Sequence, residues 1–228
     1  PKNIALSKQA MVESAAATSS YFKLEPGIQA LLCLSTQFIA GKMMLVRALQ
    51  GGWHLDLVKP SATPLKNLGK SYDFVAMIPL QVSQSLAQLH QIQTVVIGGA
   101  PLPIGLRDQL IELKVQAYES YGMTETITHI ALKSIREPNF NALPGVSFVV
   151  NENQCLRISA PRISEDAIQT NDVVELIDAK QFHFLGRFDS VINSGGIKLY
   201  PERIEQKLYS QIPHRFYIIG KPNEKWGE

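Results

Sequence analysis

Apolar and polar positions follow two different rhythms along the chain. Up to about residue 125, short apolar runs alternate with stretches of helical spacing. ALLCLS (30–35) and FVAMIP (74–79) read as buried strands. QTVVI (93–97) and VQAYESYG (115–122) read as two more, each closing on glycine. Between them lie helical patterns: residues 8–22 behind Ser7 as a cap, Ile39 to about Leu49 before the Gly-Gly-Trp break, Pro79 to about His90, and IGLRDQLIEL (104–113). Strand–helix alternation predicts a largely parallel, helix-covered sheet. After Pro144 the rhythm changes. VSFVVNENQCLRIS (146–159) and DVVELIDAKQFHFLG (172–186) each read as a hairpin. A glycine-bounded connector, a helix from YPERIEQKLYSQI (200–212) and a last strand RFYIIG (215–220) follow. The predicted class is α/β: a large lobe with a mostly parallel sheet plus a small antiparallel β-subdomain, then the start of a small α+β C-terminal lobe. The expected division is 1–188, with the β-subdomain at about 144–186, and 189–228 as hinge and small lobe.

Composition narrows this picture. A chain of 228 residues that is 45% hydrophobic can bury one sizeable core. The net charge of +2 is spread along the chain, so no nucleic-acid partner is expected. No apolar run approaches 18 residues, so no membrane span is expected, and the first residues lack the apolar core of a signal peptide. Cys33 and Cys155 stand far apart in apolar runs, which fits buried reduced thiols and a cytoplasmic location. The five histidines are dispersed without metal-ligand spacing, and only His129 lies near a candidate motif. Trp53 and Trp226, each beside glycine, are expected to pack loops.

Candidate chemistry gathers at strand ends, where open α/β sheets bind ligands. In YGMTET (121–126), Tyr121 offers a flat face, Gly122 removes a side chain, Thr124 brings a hydroxyl and Glu125 a carboxylate suited to magnesium. An ordinary turn capped by Thr124 or Thr126 is an equally good reading of those six residues alone. GGAPLP (98–103) would let backbone approach a planar ligand. Asp172 in TND and Arg187 in GRFD can hold a ribose diol, or can cap a turn and pair on the surface. Lys198 in GGIKLYP can meet phosphates or stand as a solvated charge.

Taken together, PK at residues 1–2, GGAPL, YGMTET and the TND…LGRFDSVINSGGIKLYPERIE run resemble, in order, the core motifs of the adenylate-forming superfamily of acyl- and aryl-CoA ligases, peptide-synthetase adenylation domains and luciferases. LCLSTQFIAGKMMLVRAL (32–49) and the short spacings resemble the o-succinylbenzoate–CoA ligases within it. The resemblance implies an ATP-dependent acid–CoA ligase: a carboxylate attacks the α-phosphate of ATP, and coenzyme A then displaces AMP from the acyl-adenylate. It implies that Gly99, Ala100 and Pro101 line the adenine with Tyr121 stacked on it and Gly122 beside it. Thr124 would contact the α-phosphate, Glu125 would bind Mg2+, and Asp172 and Arg187 would hold the ribose. Asp189 would be the hinge, and Gly195, Gly196 and Lys198 would form the coenzyme A-side loop. Phe38, Gly41, Met123 and His129 are expected at the acid pocket, with Phe38 where many relatives carry histidine. The implied partner is a small carboxylic acid, o-succinylbenzoate foremost, and relatives suggest a homodimer.

Most of the family's phosphate loop would precede Pro1-Lys2, and its late catalytic lysine would follow Glu228; Lys221 does not stand for it. The 228 residues alone are therefore expected to be inactive. Two alternatives are another aryl- or acyl-CoA ligase or carrier-protein adenylation domain, and a non-catalytic nucleotide-binding module.

Overall fold

The computed structural model describes residues 4–209, 211, 212, 214 and 216–223; Pro1, Lys2 and Trp226 lie outside them. Helix α1 (Lys8–Phe22) starts where expected, the Ser7 hydroxyl accepting from the Ala10 amide at 3.0 Å. Helix α2 (Ile39–Gly51) stops at Gly52, whose φ of 65° takes the chain out of the helix. The helix expected from Pro79 to His90 is broken in two: α3 (Pro79–Ser83) and a 3-10 turn at Leu86–Gln91. Ser85 departs from helical angles between them, at φ −124° and ψ 15°. Helix α4 is Ile104–Glu112 and α5 is Pro201–Leu208.

Strands β1 (Gln29–Leu32), β2 (His54–Leu57), β3 (Tyr72–Met77), β4 (Ile92–Ile97) and β5 (Gln116–Gly122) run parallel in the order β2-β1-β3-β4-β5. Alternate residues of one strand feed opposite cores. Ala30, Phe74 and Val96 join Met44 and Ala48 of α2 on one face. Leu31, Val75, Met77, Val95 and Ile97 join Val82 of α3 and Leu106 and Leu110 of α4 on the other. Burial on both faces explains why these strands read as continuous apolar runs. The short edge strand β2 went unread because its half-exposed HLDL lacks such a run. Both cysteines are free and buried, and burial pushes the Cys33 thiol up to about 12.

Antiparallel pairing begins before Pro144. Strand β6 (His129–Ser134) returns along β5, and β7 (Phe140–Ala142) follows. Strands β8 (Ser147–Val150), β9 (Cys155–Ser159), β10 (Ile168–Asp178) and β11 (Gln181–Arg187) then complete one eleven-stranded sheet, continuing β5-β6-β7-β11-β10-β9-β8. The Glu119–Lys133 ion pair, 2.9 Å, spans the seam between β5 and β6. A separate hairpin, β12 (Ile192–Ser194) with β13 (Ile197–Leu199), opens the C-terminal segment. The strand expected at RFYIIG does not form over the described residues 216–220. There the Ile218 amide donates to the Glu205 carboxylate of α5 at 2.8 Å, not to a neighbouring strand.

Candidate nucleotide and phosphate site at the sheet edge

Strands β4 and β5 lie side by side, so their carboxyl ends bring two candidate segments together. Gly98 follows Ile97, and a Cβ there would lie 2.3 Å from the Ser120 hydroxyl of β5, which itself donates to the Ile97 carbonyl. The next residues, Gly99 (φ 84°), Ala100 and Pro101, turn outward and are exposed. Two residues beyond Ser120, β5 ends at Gly122. Its glycine has a local cause: a Cβ would fall 2.1 Å from the Thr128 carbonyl and 2.7 Å from the His129 Cα. The returning chain therefore fills the place of a Cβ at Gly122, whose own backbone stays exposed.

Between Gly122 and His129 the chain makes two tight turns. Thr124–Thr126 is a 3-10 turn. The Thr126 hydroxyl lies 2.9 Å from the Met123 amide, which donates to it, and 2.7 Å from the Thr128 carbonyl. Ile127 then takes φ 66° and ψ −66°, with the Thr128 amide donating to the Thr126 carbonyl at 2.8 Å. This is a γ-turn, which for a β-branched residue stores about 1–3 kcal/mol of backbone strain. The Thr124 and Glu125 side chains, half-buried at the tip, form no hydrogen bond or ion pair with the described residues. A single free carboxylate suits Mg2+, which takes one or two protein carboxylates and completes its shell with water and substrate phosphates. No cluster of three metal-ligating residues occurs among the described residues.

The Tyr121 ring packs against Phe140 and Phe182, with centroids at 5.7 and 5.1 Å. Its hydroxyl donates to Asp172 Oδ2 at 2.5 Å. Burial and the adjacent Asp172 carboxylate hold this phenol protonated far above the usual range. Arg187 approaches the other oxygen of Asp172 at 3.7 Å and grips Asp189 with two bonds of 3.0 and 3.1 Å. Tyr121, Asp172, Arg187 and the expected hinge Asp189 are thus one linked chain of polar contacts. Gly195 and Gly196, both at positive φ, form the two-residue turn joining β12 to β13, where such angles are required. Lys198 is exposed on β13.

The acid-pocket candidates do not come together as one wall. Phe38 is 70% exposed in front of α2. Gly41 serves a close approach, since a Cβ there would lie 2.3 Å from the Ser35 carbonyl. Met123 packs on the main core. His129 is buried in a network the sequence reading missed. Its Nε2 lies 3.1 Å from the Thr18 hydroxyl, and its Nδ1 faces Arg47 Nη2 at 3.5 Å. The one available signal was a charged residue, Arg47, inside the apolar run MMLVRAL of α2. His129 also borders a cavity of about 20 Å³, room for roughly one water.

Burial, then the Arg47 charge, hold His129 well below its ordinary value, so the folded ring stays neutral. The unfolded chain binds a proton near pH 6.5 that the folded chain refuses. The stabilisation is complete above that pH and is lost as pH falls below it, at up to about 1.4 kcal/mol per pH unit. Urea unfolding between pH 7 and 5 should show this slope, and His129→Gln should remove it.

Among structures already solved, the AMP-forming acyl-CoA synthetase/AMP-acid ligase II-like protein of Dyadobacter fermentans is 38% identical, with a TM-score of 0.79 over all of this chain and 69% of its own. The chain belongs to the AMP-forming acyl-CoA synthetases of the adenylate-forming superfamily. No family model matches it. Among curated relatives of the chain, the 2-succinylbenzoate–CoA ligase of Lactococcus lactis is 24% identical over 87% of this chain and 50% of its own length. A feruloyl-CoA synthase of Amycolatopsis is 26% identical over 87% and 46%. The chain spans about half the length of these curated relatives. The o-succinylbenzoate–CoA synthetase of Bacillus subtilis, solved with ATP and magnesium, shares the fold at TM-score 0.86 and 18% identity, over 99% of this chain and 56% of its own. No described helix is long and apolar enough to cross a membrane.

Proposed function

We propose that this chain is the nucleotide-binding part of an ATP-dependent acid–CoA ligase. The observation that carries the reading is the joining of Tyr121, Asp172 and Arg187 beside a turn that leaves Thr124 and Glu125 free. Asp172 and Arg187 together present acceptors and donors to a ribose diol. The exposed backbone of Gly99–Pro101 flanks the base, with Tyr121 beside it. The Thr124 hydroxyl donates to the α-phosphate. Glu125 is the residue that would hold Mg2+, which supplies neutralisation of phosphate charge when bound.

In the first step a carboxylate oxygen of the acid bonds to the α-phosphorus, and the bond to pyrophosphate breaks. In the second, the sulfur of coenzyme A bonds to the acyl carbon, the bond to AMP breaks, and the thiol proton passes to solvent. Asp189 is the hinge between a large lobe, 1–188, and a small lobe beginning at 189. Gly195, Gly196 and Lys198 approach coenzyme A in the second step. We place the protein in the cytoplasm, as a homodimer.

The preferred acid is o-succinylbenzoate, supported by the Lactococcus relative. Another aryl acid is the second reading, favoured by the feruloyl-CoA synthase at comparable identity. The test, on the full protein carrying this chain, is release of pyrophosphate and formation of a thioester, followed by mass spectrometry, with ATP, Mg2+, coenzyme A and a panel of acids. Turnover led by o-succinylbenzoate is expected. Turnover led by ferulate would transfer the reading to the second acid. No AMP with any acid would sink it.

A further inference from the structure

We infer that α5 is a strap that docks the segment after Asp189 on the large lobe through two glycine seats, Gly186 and Gly105, and that this docked form opposes nucleotide binding at Arg187. The inference rests on the functional reading above, which gives Arg187 to the ribose.

Helix α5 meets the rest of the chain at both ends. In its first turn the Glu202 carboxylate lies against β11. A Cβ at Gly186 would fall 2.5 Å from Glu202 Oε2 and 3.2 Å from its Cδ, so the carboxylate sits where a side chain at 186 would be. Its other oxygen accepts from the Arg187 amide at 3.4 Å, a long bond. Just past the last turn, Tyr209 brings its Cε1 to 3.7 Å from the Cβ position of Gly105, in the first turn of α4. That helix follows directly on the Gly98–Pro103 segment. The strap thus joins the strand that carries Arg187 to the helix behind the Gly99–Pro101 turn, the two parts that hold ribose and base in the reading above.

Docking of this kind is weak. Glu202 Oε2 is buried and has no hydrogen-bond partner among the described residues. A carboxylate oxygen kept from water without a donor disfavours the docked form. Tyr209 stays 49% exposed and covers its seat only in part. The same contact sets a negative charge beside the residue meant for a polyanionic ligand. Arg187 is also engaged on every side. Its amide faces Glu202, its Nε and Nη2 are on Asp189 at 3.0 and 3.1 Å, and its Nη1 approaches Asp172 at 3.7 Å. A ribose diol has to draw donors away from Asp189, the residue where the segment leaves the large lobe. Docking and nucleotide binding therefore weaken each other, and by the same factor.

The test uses the full protein carrying this chain, spin-labelled through Val149→Cys on β8 and Lys207→Cys on α5, both exposed positions. Cys33 and Cys155 are buried and stay unlabelled. The distance between the labels should show one main population without nucleotide, and AMP should move a growing share to a second distance. Tyr209→Ala and Gly105→Leu, which empty or fill one seat, should release the strap without nucleotide and tighten AMP binding about fivefold by calorimetry. Glu202→Met removes the unpaired charge and keeps the length. It should hold the strap docked and weaken AMP binding about fivefold. Opposite signs do not arise from general damage to the fold. Shifts of one sign in all three variants, unchanged affinities, or a distance that stays put while AMP binds, each overturn the inference. If Glu202→Met does not fold, the two seat variants decide it. A wild-type protein that binds no AMP overturns the functional reading instead, and the distance in Tyr209→Ala still decides whether the strap exists.

Discussion

Gly122→Ala should lower folding stability by about 3 kcal/mol, the upper range for a forced fit into packed surroundings. The added methyl would sit 2.1 Å from a carbonyl oxygen and 2.7 Å from a Cα, both backbone atoms fixed by the β5–β6 pairing. No side chain can rotate away to make room. Gly196→Ala is the comparison: a Cβ there meets nothing within 4 Å, and only the φ of 83° opposes it, so about 1 kcal/mol is expected. Urea unfolding of both variants checks the difference, with the midpoint falling far more for Gly122→Ala. A midpoint near wild type would mean that the hairpin from 122 to 129 opens easily.

Glu125→Gln should act in the opposite way, leaving the fold alone and removing the chemistry. The side chain has no partner among the described residues, so the melting temperature should stay within about 1 °C of wild type. Pyrophosphate release by the full protein should fall about 100-fold, the scale seen when one preorganised electrostatic group is lost. The amide keeps the shape and loses the charge, so excess Mg2+ should recover only part of the rate. A variant that keeps its rate would remove Glu125 from the reaction and shift the metal role elsewhere.

The parallel half was legible because its strands are buried on both faces and several of its helix ends carry a capping or breaking residue. Ser7, Gly52 and Pro79 each mark an end that local chemistry dictates. The link between Tyr121 and Asp172 could be expected only from the order of motifs, since 51 residues separate them and no periodicity relates β5 to β10. Gly122 has a local role that its sequence does not reveal, for a physical reason. A glycine at a strand end signals close approach, and the sequence does not say whether a ligand or the chain itself approaches. Arg47 was passed over because a charge in an apolar helix is normally a solvated one. Its partners, Thr18, Thr128 and His129, come from two other elements. The last strand failed because RFYIIG has the right composition but its amide at Ile218 finds a carboxylate before it finds a ladder.

The seam between β5 and β6 also determines how the molecule can be taken apart. Strand β5 has a neighbour on each side, parallel β4 and antiparallel β6. Cutting the chain between residues 123 and 128 would leave two pieces, each with a raw strand edge. Neither piece would be expected to stay soluble alone, and the two edges are complementary. Co-expressed halves should zip together along this one line, rebuilding the site only where they meet, which makes the seam a natural place for a split reporter of assembly.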